Sequence, residues 1–123
     1  MAYKLYENDE VLAFLDIFPV NSGHALVIPK DHIENIYGIP DETLCRVTIE
    51  VKRVALAIKH ALDADGVNII MNNEEAAGQV IHHAHFHIIP RFKDDGFKHW
   101  PFKTIEKEEL TMLQEKIKKA IDN

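Results

Sequence analysis

Four of the chain's eight histidines fall within Gln79-Val80-Ile81-His82-His83-Ala84-His85-Phe86-His87-Ile88-Ile89-Pro90-Arg91. His83, His85 and His87 are two apart, and Ala84, Phe86 and Ile88 alternate with them. Strict alternation is the pattern of a half-buried strand, in which residues i, i+2 and i+4 share a face. The stretch therefore predicts three imidazoles side by side on one surface, above an apolar underside. Pro90 and Arg91 are expected to end the pairing, because proline cannot donate to a ladder. His82 falls out of register and points the other way. Such a face can ligate a metal, as in a zinc hydrolase, since neutral imidazole is a common ligand. It can bind and attack phosphate, with one imidazole as nucleophile and its neighbours as donors. It can also be a plain polar strand face, but three histidines in register behind Gly78-Gln79 favour a built site.

Phosphoryl chemistry suits these residues. An attacking group must be neutral at working pH and must leave again easily, and imidazole, with an unperturbed pKa of about 6.5, meets both needs. Attack builds charge on the phosphoryl oxygens, which His87, Gln79 and strand amides are placed to stabilise in a dry pocket. Splitting the reaction into nucleotidylation and hydrolysis is the gain of covalent catalysis. The centre of the three, His85, has a possible helper on each side. No acid cluster suited to magnesium is evident, so neither a metal nor a cofactor is expected.

The elements that must position this face can be read along the chain. Tyr3 to Glu7 and Val11 to Leu15 predict a hairpin about an Asn8-Asp9 turn. Asp16 follows, either as a turn former or as a hydroxyl-binding carboxylate. Residues 19–23 form a loop, and His24 to Pro29 a largely apolar strand. Asp31 to Tyr37 reads as a short helix capped near Asp31. A long helix opens at Ile39-Pro40-Asp41, with Asp41 and Glu42 at its positive end. Leu44, Val47, Val51, Val54, Ile58 and Leu62 form its apolar stripe. Arg46, Glu50, Arg53, Lys59 and His60 read as solvated surface, and Gly66 as the C-terminal cap. Val67 to Met71 predicts a fourth strand, ending in Asn72-Asn73. Residues 92–103 read as irregular, with Trp100 a core or interface residue, and Glu106 to Ile121 as a final helix. The sum is α+β: a five-stranded, mostly antiparallel sheet, a long helix packed on it and a C-terminal helix, in a single domain spanning 1–123.

The chain has 123 residues, 46% of them apolar and 28% charged, the size and balance of one globular domain. Its net charge of −6 argues against nucleic-acid binding. The single cysteine, Cys45, allows no internal disulfide and no Cys-x-x-Cys site. No apolar run approaches membrane-spanning length and no leader pattern opens the chain, so a cytoplasmic location without membrane partners is expected. Ile49 and Leu56 lie outside the main stripe of the long helix and suggest a second buried surface.

At this point the residues resemble a known family. Ala77-Gly78-Gln79 through His83-Ala84-His85-Phe86-His87-Ile88-Ile89-Pro90-Arg91 looks like the motif of the histidine triad (HIT) superfamily. Leu12 to Ile17, Gly23 to Lys30, and Gly66 to Asn73 resemble its other segments, in order. The tail from Phe92 resembles bacterial-type members related to Hint nucleotide-binding proteins. The resemblance implies a HIT-like fold and a homodimer that binds a purine nucleoside monophosphate or its conjugates. It implies cleavage of nucleoside phosphoramidates or related conjugates at the α-phosphate, through a nucleotidyl-histidine intermediate. A dinucleoside polyphosphate hydrolase, or a purine nucleotide sensor or scaffold with incidental turnover, is the alternative. By the same resemblance His85 falls at the nucleophile's position, with His83, His87 and His24 supporting it. Asp16 would hold the ribose hydroxyls, Asn72 and Gln79 would contact ribose or phosphate oxygens, and Phe14 and Ile17 would wall the base. Two features depart from the pattern. The Cys-x-x-Cys segment upstream in many relatives is not among these residues, so the structural zinc of some relatives is not expected. Val80 stands where relatives often carry a serine or threonine.

Overall fold

The computed structural model describes residues 2–122. Strands β1 (Lys4–Glu7) and β2 (Val11–Leu15) form the expected hairpin. Asn8 makes its turn, because Oδ1 accepts from the amides of Glu10 and Val11 at 2.9 and 2.8 Å. Strand β3 (Ala25–Pro29), helix α1 (Asp41–Ala61), strands β4 (Gly66–Ile70) and β5 (Phe86–Arg91), and helix α2 (Lys107–Asp122) follow. The strands build one five-stranded sheet in the order β1-β2-β3-β5-β4, and every pairing is antiparallel.

Alternation divides the sheet into two faces. Val11, Ala13, Ala25, Val27 and Ile88 point to one side and pack against Val47, Val51, Val54 and Ile58 of α1. Burying each of these valines and isoleucines is worth about 1.5–3 kcal/mol, so this face holds the fold together. Residues directly opposite one another share a face. The register pairs Phe14 with Leu26, Leu26 with His87, and His87 with Ile70, so these four cross the sheet on the side away from α1.

Strand β5 differs from the expectation at both ends. It begins at Phe86, so His83 and His85 lie in the segment leading into it and only His87 of the three sits in the ladder. The reason lies on β3. Its register with β5, continued from Val27–Phe86, brings Pro29 opposite Ala84, and proline has no N–H to offer. Its carbonyl bonds the His83 ring at 2.8 Å, while the Ala84 amide donates to Ile33 O at 2.6 Å. At the other end, Pro90 and Arg91 do not stop the strand, because Val67 and Gly66 of β4 pair with them. The Pro90 carbonyl takes a bond from Asn21 beyond the end of the β3 pairing, where the missing N–H breaks no ladder.

Three further readings change. Residues 31–35 form no helix; a 3-10 turn spans Ile36–Gly38, with the Asn35 side chain accepting from the Tyr37 amide. Helix α1 ends through Leu62 and Asp63, the latter at φ 52°, while Gly66 opens β4. Glu50 is buried at 7% exposure, not solvated, and Arg53 donates to both its oxygens at 2.9 and 3.0 Å while lying over the Tyr6 ring. On α2, Leu110, Leu113, Ile117 and Ile121 recur at helical spacing, yet no residue of that helix is buried and it packs against no other helix or strand among the described residues. Trp100 and Phe102, just before it, are also exposed. No described helix is long and apolar enough to cross a membrane.

Candidate active site

The site lies on the face away from α1, where the β2–β3 loop meets β5. His24, the residue before β3, is buried at 3% exposure. Its ring reaches across to β5, where Nε2 lies 3.0 Å from Nδ1 of His87. The His85 ring stands edge-on to His87, with centroids 4.8 Å apart. Asp16, at the end of β2, places Oδ2 3.7 Å from His24 Nε2. Three of the four expected histidines and the expected acid thus converge.

Hydrogen bonds assign the protons. The Val20 amide donates to Nδ1 of His24 at 3.1 Å. An amide can only donate, so that nitrogen carries no hydrogen, and a neutral His24 holds its proton on Nε2. Nε2 therefore donates to Nδ1 of His87, which leaves the remaining proton of His87 on its own Nε2. His85 has the opposite tautomer. Its Nδ1 lies 2.7 Å from the His83 carbonyl, an obligate acceptor, so Nδ1 is protonated and Nε2 keeps a free lone pair. The site presents one imidazole nitrogen that can attack beside another that can donate.

Electrostatics hold His24 and His87 neutral. Burial lowers the pKa of His87 to about 4, helped by the neighbouring His85 and His24 and opposed by Asp16. Burial also lowers that of His24, against the attraction of Asp16. A relay of this kind requires neutral rings, since a doubly protonated His87 would have no acceptor for His24.

The other expected site residues have separate surroundings. The His83 ring points to Pro29 O and meets the edge of His32, with centroids 5.3 Å apart, so its backbone carbonyl rather than its ring touches the site. Gln79 is buried and spends its amide on the chain: Oε1 accepts from Glu74 N at 2.7 Å, and Nε2 donates to Glu34 O and Ile81 O at 2.6 and 3.0 Å. That bracing holds the loop ahead of His85. Asn72 lies beside Gly78, whose φ of 95° is a backbone conformation that favours glycine. The β4–β5 register, continued two residues past Ile70–His87, carries Asn72 towards His85. Phe14 is half-buried two positions from His87 along the crossing row, and Ile17 stands exposed on the loop. Asp16 acts as the turn former, as Oδ1 accepts from Phe18 N at 2.9 Å, and its Oδ2 faces His24. His82 is exposed beside Glu34, out of the cluster.

Asp16, His24 and His87 each bring a ligand atom within 4.8 Å of the others, a donor set that zinc could use. The tautomers oppose it. With Nδ1 occupied by the Val20 amide, His24 would have to give up its remaining proton to ligate through Nε2.

Sequence reading missed Val20, whose part is played by its backbone amide, and His32, which stands exposed at the edge of His83. A backbone contact leaves no mark in residue type, and a lone histidine in a loop carries no periodic signal.

The family model described as "HIT domain" matches residues 2–94, which contain every residue of this cluster. The chain belongs to the HIT family. The protein named "Protein hit" of Bacillus subtilis is 50% identical over 95 residues, covering 76% of this chain and 66% of that HIT protein. The crystal structure of SMU.412c from Streptococcus mutans UA159 superposes with a TM-score of 0.92 at 41% identity, over 98% of this chain and 78% of that one. That match extends beyond the HIT domain and includes the α2 region. A protein of Candida albicans named adenosine 5′-monophosphoramidase is 34% identical over 127 aligned positions, covering 98% of this chain and 83% of its own. Hydrolases of nucleotides therefore stand among the relatives of this HIT domain.

Proposed function

We propose that the protein is a nucleotidyl hydrolase or transferase acting on nucleoside phosphoramidates or related conjugates at the α-phosphate. The observation that carries this reading is the tautomer of His85, whose Nδ1 proton is spent on the His83 carbonyl so that Nε2 is free to attack. In the first step, His85 Nε2 forms a bond to the α-phosphorus. The bond to the leaving group breaks, and the His87 Nε2 proton goes to the departing nitrogen or oxygen. Water then attacks the phosphorus of the nucleotidyl-histidine and gives up a proton to His87 Nε2; the P–N bond breaks, releasing the nucleoside monophosphate and restoring both His85 and His87. Asp16 accepts ribose hydroxyls, Phe14 and Ile17 flank the base, and Asn72 contacts the phosphate side. The phosphoramidase among the relatives supports the choice of leaving group.

The same reading makes the protein a homodimer. Ile49 and Leu56 of α1 are 58% and 49% exposed, and α2 has an apolar stripe without a partner. A second copy covering these surfaces would remove them from water, as obligate interfaces do.

The test is to quench wild-type protein and His85→Ala during turnover of an adenosine phosphoramidate, in the presence of a strong chelator, and to weigh the intact chains. The wild type should carry an adenylate adduct and the variant none, with kcat reduced at least about a thousandfold. AMP affinity should be largely kept. An adduct that persists in the variant, or a loss below about tenfold, would assign the attack to another residue.

A further inference from the structure

Residues 16–24 carry both Asp16 and His24, and they form a surface loop whose tip bears the exposed Phe18 and Val20. Two backbone bonds close the loop on itself: Asp16 N to His24 O at 2.9 Å, and His24 N to Asn21 O at 3.0 Å. Neither fixes its tip against β5, which the loop otherwise meets through the His24 ring. Asn21 holds the tip through its side chain. Its Nδ2 donates to Pro90 O at 2.9 Å and to Asp95 Oδ2 at 3.1 Å, spanning more than sixty residues of sequence.

Asp95 is a firm anchor. Its side chain is 7% exposed and pairs with Arg91, whose Nε and Nη2 donate at 2.7 and 3.1 Å. The amides of Phe92 and Phe97 add bonds at 3.0 and 3.1 Å. Arg91 in turn holds Asn68 of β4 at 2.7 Å and the Phe97 carbonyl at 3.0 Å. These donors hold the Asp95 carboxyl well below the usual carboxylate range, with Arg91 the largest cause. The turn after β5 is thus a rigid block, built on β4 and β5, that presents one carboxylate oxygen to Asn21.

We propose that Asn21 is a positioning residue for the reaction: fastened to Asp95 and Pro90, it holds the β2–β3 loop where the Val20 amide meets Nδ1 of His24, and so sets which nitrogen of His87 bears the proton. This rests on the function proposed above only for its consequence in turnover. The geometric chain is continuous, from Asp95 to Asn21, from the Asn21 carbonyl to the His24 amide, from the Val20 amide to the His24 ring, and from that ring to His87. Without the clasp, the loop keeps its two backbone bonds and the β3–β5 ladder still seats His24, but the loop tip that carries Val20 is no longer held to β5. Val20 can then leave Nδ1, and His24 becomes free to take either tautomer.

Long-range 1H–15N correlation spectra of uniformly labelled protein read each histidine's tautomer directly in the resting state. In the wild type, His24 and His87 should both be protonated on Nε2, and His85 on Nδ1. In Asn21→Ala, His24 and His87 should show mixed tautomers, whereas His85 should be unchanged because its bond to His83 O is independent of the loop. Turnover should show kcat reduced about tenfold with KM altered much less. Asn21→Ser keeps one donor for Pro90 or Asp95 and should fall between the two, and it decides the matter if Asn21→Ala does not fold. Single tautomers at His24 and His87 in both variants would overturn the proposal. So would a simultaneous loss of the His85 tautomer, which would mean general unravelling. A wild type without turnover would refute the functional reading but leave the tautomer comparison able to decide the role of Asn21.

Discussion

Acidification should destabilise this protein through His87 in a definable window. In the folded chain burial holds the His87 pKa at about 4, against 6.5 when exposed. Because the folded value is the lower one, the unfolded chain takes up a proton first. The stability associated with neutral His87 is fully present above pH 6.5 and is lost as pH falls towards 4. The whole displacement corresponds to about 3 kcal/mol, of which about 2 kcal/mol should be gone by pH 5. That is a large share of the 5–15 kcal/mol typical of a domain. His24 is shifted in the same direction and adds to the loss. Denaturant unfolding of wild type and His87→Gln from pH 7.5 to pH 4 isolates the His87 part. The stability difference between the two proteins should move by about 2–3 kcal/mol in favour of the variant across that range. A difference that stays constant with pH would refute the argument, since it would mean that His87 titrates alike in both states.

Two further outcomes follow from the same geometry. Asp16→Ala should weaken AMP binding about tenfold to a hundredfold, because a carboxylate accepting hydroxyl hydrogen bonds is worth roughly 1.5–3 kcal/mol, while inorganic phosphate affinity should hardly change; calorimetry with both ligands separates a ribose contact from a turn residue. Gly23→Ala should lower stability by about 2 kcal/mol or more, because Gly23 sits at φ 97° and an added Cβ would collide with the Leu62 side chain; a melting temperature equal to the wild type's would show that the loop adapts.

Much of this protein was legible in residue order alone. The apolar runs of Val11 to Leu15 and His24 to Pro29, the stripe from Val47 to Ile58, and the histidines two apart are local signals, and a strand or helix forms at each of these places. Resemblance to the HIT motif rested on the same local patterns and pointed to the family. What failed did so where a distant partner decides. His83 and His85 alternate as a strand should, yet the ladder opens only at Phe86, because Pro29 offers no amide and Ile33 captures that of Ala84. Glu50 reads as solvated until Arg53 and Tyr6 close over it. The apolar residues of α2 recur at helical spacing, but amphipathicity states that a helix needs a partner and not where one is. Above all, residue type cannot say which nitrogen of an imidazole holds the proton. That is fixed by a backbone amide at Val20 and a backbone carbonyl at His83, which the tertiary fold alone brings to the rings.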